Sequence, residues 1–356
     1  MQLPYCKNCG AKLDESAKYC HLCGTSVSKV MTVERATERG RPTNFFGFIL
    51  IAIILAVVGY GFVSFLPIRS VDVHENRSVP HQVGVEAVVV DLTVDVGHVN
   101  VSFSDLGDNA VTFSLSVSGH GSLLSSQPYT LTFEQSTEGN VLTVTSEVST
   151  SVLHSWLSLN FLDVECNLII DKSLNTTITV KTGTGAISFG TVNGVVLNSM
   201  WLETSTGAIG VSFAENTILT GDITVKTVTG AQSITWRNVV AERDVAVSVE
   251  SVTGAVSVDV EQDGRLRSHI GLGVEVTTGA ISLVLDLRGD ASGRVTSSTT
   301  LGLVDVQRSD GFTGSSTQLQ SDNYPSDSQF DIALQTTTGA ISINAQYSPI
   351  TIVTFA

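Results

Sequence analysis

Residues 181–189, which read KTGTGAISF, contain the motif that decides the fold of most of the chain. The motif recurs as ETSTGAIGV (203–211), KTVTGAQSI (226–234), ESVTGAVSV (250–258), EVTTGAISL (275–283) and QTTTGAISI (335–343). Its central glycines are Gly185, Gly207, Gly230, Gly254, Gly279 and Gly339. Successive glycines are 22, 23, 24, 25 and 60 residues apart, and internal repeats of this length are typical of solenoids or arrays.

Apolar residues alternate with polar ones on both sides of each glycine. The residues seven and five positions before the glycine are apolar in all six copies, and so are the residues four positions after it. Two positions after it, Gln232 is the exception to the apolar pattern. A period of two predicts two half-buried strands in each repeat, with the Thr-Gly-Ala triplet at the corner between them.

If the repeats stack as coils, the sequence predicts a column of charged side chains along the stack. Four positions before the glycines, the copies carry Lys181, Glu203, Lys226, Glu250, Glu275 and Gln335. Stacking would set these side chains about 4.8 Å apart, and the first four alternate in sign, which favours neighbouring pairs. Two arrangements fit, a parallel β-solenoid with one repeat per turn or a series of hairpins with Thr-Gly in the turn. The near-constant spacing and the charge column favour the parallel β-solenoid, so the predicted fold class is mainly β.

The segments before and between these copies extend the pattern. Residues 86–103 form an imperfect copy around Gly97, and Gly302 marks a degenerate corner. Residues 110–146 add further strands, with a turn at 138–140.

Three other features of the chain after residue 150 lead to structural predictions. The apolar stretch 151–162 is expected to cap one end of the solenoid, because an open end needs cover. The polar stretch 307–330 is expected to form a protruding loop. Cys166 is in phase with Val164 and Leu168, which predicts a buried side chain.

Four of the five cysteines lie in the first 23 residues, as two Cys-x-x-Cys pairs that are each followed by glycine. The four are Cys6, Cys9, Cys20 and Cys23. Four thiolates close a tetrahedral site without an open position for water, so the sequence predicts one structural Zn²⁺. Residues 4–26 resemble the short zinc-ribbon domains at the N-termini of many archaeal and bacterial membrane proteins. We assign residues 1–26 to a zinc ribbon and expect His21, which the four thiolates leave unused, to be exposed.

Residues 45–66 read FFGFILIAIILAVVGYGFVSFL and contain no charged side chain. At 1.5 Å per residue, a helix of this length extends about 33 Å, enough to cross a hydrocarbon core of about 30 Å. The sequence therefore predicts one transmembrane helix at 45–66. Linkers are expected at 27–44 and 67–85, and an extracellular β-repeat domain at 86–356.

The predicted orientation rests on charge. Basic residues precede the hydrophobic segment at Lys29, Arg35, Arg39 and Arg41. The positive-inside rule then places the N-terminus in the cytoplasm and the β-repeat domain outside the cell membrane. Thiolate zinc ligands also persist best in a reducing compartment. Three N-glycosylation sequons begin on the outer side, at Asn76, Asn100 and Asn175.

The net charge of −15 is unevenly distributed. Residues 1–44 carry seven basic and four acidic side chains, which leaves 12 basic and 30 acidic side chains in the remainder. An outer part this acidic is repelled by nucleic acid and by anionic lipid, so no nucleic-acid partner is expected. The sequence contains no Gly-x-Ser-x-Gly, His-Glu-x-x-His or phosphate-loop motif, so no catalytic residue is assigned.

The β-repeat region also resembles the putative-adhesin domains of bacterial and archaeal envelope proteins, which carry stacked Thr-Gly-x-Ile-x repeats. The resemblance covers roughly residues 85–350 and implies a β-solenoid without an agreed activity. The leading hypothesis is a membrane-anchored cell-surface protein with a non-enzymatic binding or scaffold domain for envelope glycans or proteins. One alternative is a signalling protein that reports envelope binding to a cytoplasmic protein partner of the zinc ribbon. A lesser alternative is a glycan-active β-helix enzyme.

Overall fold

The structure is a computed structural model that describes residues 6, 8–9, 11–12, 19–24, 68–122, 129–150, 161–263 and 266–349. The chain divides into two compact units, Met1–Phe65 and Leu66–Ala356. The predicted transmembrane segment at 45–66 lies outside the described residues. Within the described ranges, the structure contains no helix that is long and apolar enough to cross a membrane.

The second unit is built from β-strands. In chain order, the described strands are β1 (Ile68–Pro80), β2 (Ala87–Val96), β3 (His98–Ser104), β4 (Asn109–Ser122), β5 (Tyr129–Glu138), β6 (Val141–Thr150), β7 (Phe161–Asp171), β8 (Asn175–Thr184), β9 (Ile187–Gly190), β10 (Val196–Thr206), β11 (Ile209–Phe213), β12 (Ile218–Leu219), β13 (Ile223–Thr229), β14 (Gln232–Arg237), β15 (Val240–Ala241), β16 (Val245–Thr253), β17 (Val256–Asp263), β18 (His269–Thr278), β19 (Ile281–Arg288), β20 (Ser292–Leu301), β21 (Val304–Asp310), β22 (Phe312–Ser315), β23 (Gln318–Ser321), β24 (Gln329–Thr338) and β25 (Ile341–Ser348).

The strands form two long sheets that share one core. Sheet 1 has the order β1-β4-β7-β3-β9-β11-β14-β17-β19-β25-β21. Sheet 2 has the order β22-β23-β20-β24-β18-β16-β13-β10-β8-β2-β6-β5, with the short strands β12 and β15 beside it. Six coils cross from sheet 2 to sheet 1 at a Thr-Gly-Ala corner, whereas the coil β2–β3 crosses at Gly97 and the coil β20–β21 at Gly302.

Neighbouring coils pair in parallel and in register. Glu203 in β10 lies opposite Lys181 in β8 on one side and opposite Lys226 in β13 on the other. In sheet 1, Ile209 in β11 lies opposite Ile187 in β9. This pairing confirms the predicted parallel β-solenoid and excludes a series of hairpins, because hairpin neighbours run antiparallel.

The core follows the alternation of the repeat. All the apolar residues at seven and five positions before the corner glycine, and at four positions after it, are buried. Five aromatic rings form a ladder through the core with neighbouring centroids 5.3 to 6.3 Å apart: Phe103, Phe189, Phe213, Trp236 and Phe330. Stacked coils therefore bury a continuous core that no single repeat could bury alone.

The corner glycines stack in a column that only glycine can fill. The six have φ between +144° and +155°, a region that side chains with a Cβ atom rarely adopt. A Cβ atom at Gly230 would also overlap the carbonyl oxygen of Gly207 in the neighbouring coil. The Gly230 N–H donates to the carbonyl oxygen of Thr253 at 2.9 Å, so the backbones approach closely on both sides.

Both ends of the solenoid depart from chain order. At the C-terminal end, the coil β24–β25 lies between β18–β19 and β20–β21, so Gly339 packs on Gly279 and Gly302 packs outside, on Gly339. At the N-terminal end, the coil β2–β3 lies between β6–β7 and β8–β9. The coils share the alternation of buried and exposed positions, so the repeat pattern allows more than one order of coils.

Antiparallel strands extend the sheets at these ends. Strands β4 and β1 continue sheet 1 beyond β7, and β5 continues sheet 2 beyond β6. The assignment of residues 67–85 to a linker is therefore wrong for Ile68–Pro80, which forms β1. Val71 and Val79 of this strand pack against the core, while its polar residues alternate with them.

The prediction of a protruding loop at 307–330 is also wrong in part. Strands β22 and β23 form a hairpin in this stretch and continue sheet 2 beyond β20. Phe312 and Leu319 are the physical reason, because both are buried at the end of the core.

Two smaller predictions are confirmed and one lies mostly outside the described residues. The turn at 138–140 joins β5 to β6, and Cys166 is buried in β7. Of the cap predicted at 151–162, the structure describes only residues 161–162, which belong to β7.

Candidate functional sites

The four N-terminal cysteines lie together, although they come from two separate segments. Their sulfur atoms all lie within 4.8 Å of one another. The Sγ atoms of Cys6 and Cys23 are 3.6 Å apart, and those of Cys9 and Cys20 are 3.5 Å apart. A disulfide joins sulfur atoms about 2.05 Å apart. None of the chain's five cysteines, all of which are described, forms a disulfide.

The sulfur cluster fits a tetrahedral zinc site. With Zn–S bonds of about 2.3 Å, the sulfur atoms of a tetrahedron lie about 3.8 Å apart, close to the two distances above. The Cys6 N–H donates to the Ala11 carbonyl at 2.7 Å, and the Gly24 N–H donates to the Cys20 carbonyl at 2.8 Å. Gly24 has φ of +69°, which lets the second turn close. The four cysteines therefore form a site for one structural zinc ion.

Most of the other described residues of the head are exposed. His21 is exposed, as expected for a residue that the zinc site does not use. Two large apolar side chains are also exposed, Tyr19 by 66% and Leu22 by 72%. In the part of the chain that the structure describes, the four cysteines are the only group of His, Cys, Asp or Glu side chains arranged to hold a metal ion.

The predicted charge column lies on the outer face of sheet 2. Pairing sets Lys181, Glu203, Lys226 and Glu250 side by side on β8, β10, β13 and β16. Lys226 Nζ lies 2.9 Å from Glu250 Oε2, whereas Glu203 accepts a hydrogen bond from Trp201 Nε1 at 3.0 Å. Lys226 Nζ also lies 5.0 Å from the ring centroid of Trp201. Because these groups are partly solvated, the ion pair contributes less than about 1 kcal/mol.

A groove of about 310 Å³ runs beside this column and crosses β10, β13, β16, β18 and β24. One wall is the column from Glu203 onward, continued by Glu275 and Gln335. The opposite wall consists of residues two positions before the corner glycine, among them Val228 and Val252. We call this feature the sheet 2 groove. The repeat indicates that both columns face outward, but the depth between them depends on the curvature of the sheet.

A second polar cluster ties three coils together at the C-terminal end. Asp331 in β24 lies 2.8 Å from His269 Nε2 in β18 and 2.8 Å from Arg294 Nε in β20. The Tyr324 hydroxyl donates to the same carboxylate at 3.1 Å, and the Arg294 guanidinium lies 5.4 Å from the Tyr324 ring centroid. We call these four residues the Asp331 clasp. Since β24 lies between β18 and β20, the clasp matches the interleaved order of the coils.

The N-terminal end is closed by contacts between the two sheets. The Tyr129 hydroxyl in β5 donates to Glu75 in β1 at 2.6 Å. Burial, this hydrogen bond and the Glu75 charge raise the pKa of Tyr129 to about 12, against an opposing effect of Arg77. Phe113 and Phe133 also pack across this end, with ring centroids 5.9 Å apart.

A column of buried hydroxyl groups goes beyond the sequence predictions. It lies three positions before the corner glycines, where Thr204 Oγ1 donates to the Gly185 carbonyl at 3.2 Å and Thr336 Oγ1 to the Gly279 carbonyl at 3.4 Å. The signal is present in the repeat, because five of the six copies carry Thr or Ser there and the sixth carries Val276. Where they donate to the carbonyls of stacked glycines, these hydroxyls stabilise the corners.

Comparison with known proteins supports the assignment of the head. Residues 5–27 match the family model of the zinc-ribbon domain. This match agrees with the four-sulfur geometry and covers only the N-terminal part of the chain. No curated protein sequence matches the chain.

Two solved structures are similar to the chain over most of its length. A "putative cell adhesion protein" from Clostridium sporogenes ATCC 15579 is 14% identical, with 78% of this chain and 100% of that chain covered and a TM-score of 0.38. A "putative adhesin" from Bacteroides fragilis NCTC 9343 is 11% identical, with 77% and 97% covered and a TM-score of 0.34. At these identities and scores, neither likeness assigns a function to this chain.

Proposed function

We propose that this protein is a membrane-anchored cell-surface protein whose β-solenoid binds envelope components through the outer face of sheet 2. The observation that carries the proposal is the sheet 2 groove, which keeps the same columns in register over five strands. A parallel stack presents such columns at a constant spacing of about 4.8 Å. This spacing suits a ligand built from repeating units. The proposed role is binding rather than catalysis, because the Asp331 carboxylate, the centre of the other polar cluster, is already engaged by His269, Arg294 and Tyr324.

The proposed anchor is the uncharged segment 45–66, with the zinc ribbon in the cytoplasm. Residues 1–44 carry an excess of basic side chains, whereas the remainder is strongly acidic, which supports this orientation. The closed four-thiolate site supports a structural role for the metal.

Binding is tested with the full chain in lipid nanodiscs, mixed with insoluble envelope fragments and sedimented. We expect the wild-type protein to sediment with the fragments. Replacing Val252 by Trp fills the groove and should abolish sedimentation. Ser257→Trp is the matched control, because Ser257 is exposed on sheet 1 of the same coil.

Two outcomes would contradict this proposal. The first is a wild-type protein that stays in the supernatant. The second is the release of shortened glycans from the fragments, which would indicate an enzyme. Equal sedimentation of both tryptophan variants would indicate that the binding surface lies outside the groove.

The orientation is tested by maleimide labelling of intact cells. A cysteine introduced at Ser315 should be labelled and one introduced at Ser28 should not, with the parent chain as background for the native cysteines. The reverse result would invert the proposed topology.

The exposed Tyr19 and Leu22 favour a second candidate role, contact of the zinc ribbon with a cytoplasmic protein. A photo-crosslinker at Leu22 should then capture one protein in cells, and a crosslinker at the neighbouring His21 serves as control. If deletion of residues 67–356 changes the yield of this product, the contact made by the zinc ribbon depends on the outer domain, as expected for a signalling protein. An unchanged yield would show a contact that does not depend on the outer domain, and the absence of any captured protein would favour a simple cap.

A further inference from the structure

We infer that the sheet 2 groove binds a glycan strand that contains amino sugars and runs along the solenoid axis. The inference deepens the proposed function and rests on it. The groove crosses five neighbouring strands, which at about 4.8 Å per step gives about 19 Å between the first and last strands. Its two walls differ in chemistry, and each indicates a part of the ligand.

The first wall is apolar in the middle of the groove. Val228 and Val252 are 52% and 48% exposed on the outer face of sheet 2. Other copies of the repeat carry Gly183, Ser205, Thr277 and Thr337 at this position, so the stacking does not require valine there. Exposed valines beside a groove favour a ligand with an apolar face. The C–H face of a pyranose ring is such a surface.

The second wall is acidic and incompletely paired. Glu250 and Glu275 are neighbours in register on β16 and β18, a like-charge pair that destabilises the free sheet. Glu250 is partnered by Lys226 at 2.9 Å and by the Ser248 hydroxyl at 3.1 Å. Glu275 has no ion pair or hydrogen bond to any residue in the described ranges. A cationic group on the ligand would relieve the repulsion, whereas an anionic ligand would increase it.

The spacing between coils favours a glycan over an extended peptide as the ligand. In an extended peptide, side chains on one face recur about every 6.6 Å, so they fall out of step with columns about 4.8 Å apart. A pyranose ring is closer in length to one coil step, so a glycan strand can place about one sugar at each coil. An amine and an apolar ring face together match the acidic and apolar walls.

The test measures binding of glucosamine oligosaccharides to the full chain in nanodiscs by calorimetry. N-acetylglucosamine and galacturonic acid oligosaccharides of the same length are the comparison probes. We expect the glucosamine probe to bind most tightly, the galacturonic acid probe not to bind, and affinity to fall as salt is raised. Glu275→Gln should weaken glucosamine binding about tenfold, the loss expected for one charge-assisted contact.

The same variant separates a binding role from a structural one. Because Glu275 faces the like-charged Glu250, Glu275→Gln should leave the melting temperature unchanged or raise it. Asp305→Asn makes the same charge change on sheet 1, where Asp305 is exposed, and should leave the affinity unchanged. Val228→Asp replaces an apolar side chain of the first wall by a charged one. It should lower the affinity for the N-acetylglucosamine probe as well.

Three results would overturn the inference. They are binding of the galacturonic acid probe, a glucosamine affinity that is equal in wild type and Glu275→Gln, and no binding of either amino sugar. If the protein still sediments with envelope fragments in any of these cases, the proposed function survives and only the ligand class is wrong. If it does not sediment either, the proposed function fails as well.

Discussion

The zinc head and the β-solenoid are stabilised by different means. In the head, two of the four zinc ligands are buried and two are exposed. The head is therefore stabilised by one metal ion rather than by a hydrophobic core. In the solenoid, a continuous cluster of buried residues extends from Val79 to Ala345. A segment of about 20 residues is too short to bury a sufficient core, so it folds around a metal. The solenoid gains its core by adding coils, each of which pairs with its neighbours.

A second contrast lies within the solenoid itself. The central coils stack in chain order through the glycine column and the shared core. The ends do not follow chain order, and they add antiparallel strands and side-chain contacts that are not repeated elsewhere. Repetition is therefore sufficient for stacking, whereas the choice of neighbour at an end depends on individual residues.

Removal of zinc should have the largest effect, and it should be confined to the head. Metal binding contributes about 10–16 kcal/mol in zinc-finger peptides, so Cys20→Ser or a strong chelator should unfold the head. Metal analysis should give one zinc per chain, lost in this variant, while the melting temperature of the solenoid stays unchanged. Cys166→Ala, a substitution outside the site, should keep its zinc. A solenoid that melts earlier without zinc would contradict the independence of the two units.

A side chain in the glycine column should be the most damaging change to the solenoid. Gly230→Ala introduces a Cβ atom that overlaps the Gly207 carbonyl at φ of +149°, so we expect a loss of more than about 4 kcal/mol. Gly271→Ala is the matched control, because a Cβ atom there meets open space. It should be neutral or stabilise by up to about 1 kcal/mol. Urea unfolding measures both, and equal losses would show that glycine is not required at the corner.

Loss of the Asp331 clasp should have an intermediate effect that is local to the C-terminal end. Asp331→Asn weakens the contacts to His269 and Arg294, which we expect to cost about 1–3 kcal/mol. Hydrogen exchange should increase in β20 and β24 and stay unchanged in β10 and β13. Asp327→Asn, at an exposed position in the preceding loop, should have no effect. Increased exchange throughout the solenoid would contradict a local role for the clasp.

The smallest effect should appear at high pH, at the N-terminal end. The pKa of Tyr129 is raised from 10.0 to about 12, so the folded state keeps a proton that the unfolded state releases between these pH values. The stabilisation is complete below pH 10 and decreases as pH rises towards 12. The advantage of wild type over Tyr129→Phe in urea unfolding should therefore shrink between pH 8 and pH 11, by at most about 1 kcal/mol because Tyr129 is only half-buried. A difference that does not change with pH would exclude this linkage.

Much of the solenoid can be predicted from the repeat. The six corner glycines, the buried columns around them and the outward charge column all follow from a period of two on either side of Thr-Gly-Ala. The Cys₄ site follows from spacing alone, because two Cys-x-x-Cys turns bring four sulfurs to one point. The strand β1 is harder to predict, since its polar outer face and short apolar pattern resemble a linker until sheet 1 provides a partner for it.

By itself, the sequence determines that the chain contains a four-cysteine zinc site and a stack of parallel coils, because both depend on local spacing. Only the tertiary structure decides the order of the coils at the ends and the depth of the sheet 2 groove. The copies around Gly302 and Gly339 share a similar alternation, so the period of two by itself does not select β24 rather than β20 as the neighbour of β18. That choice depends on contacts between residues distant in sequence, such as Asp331 with His269 and Arg294.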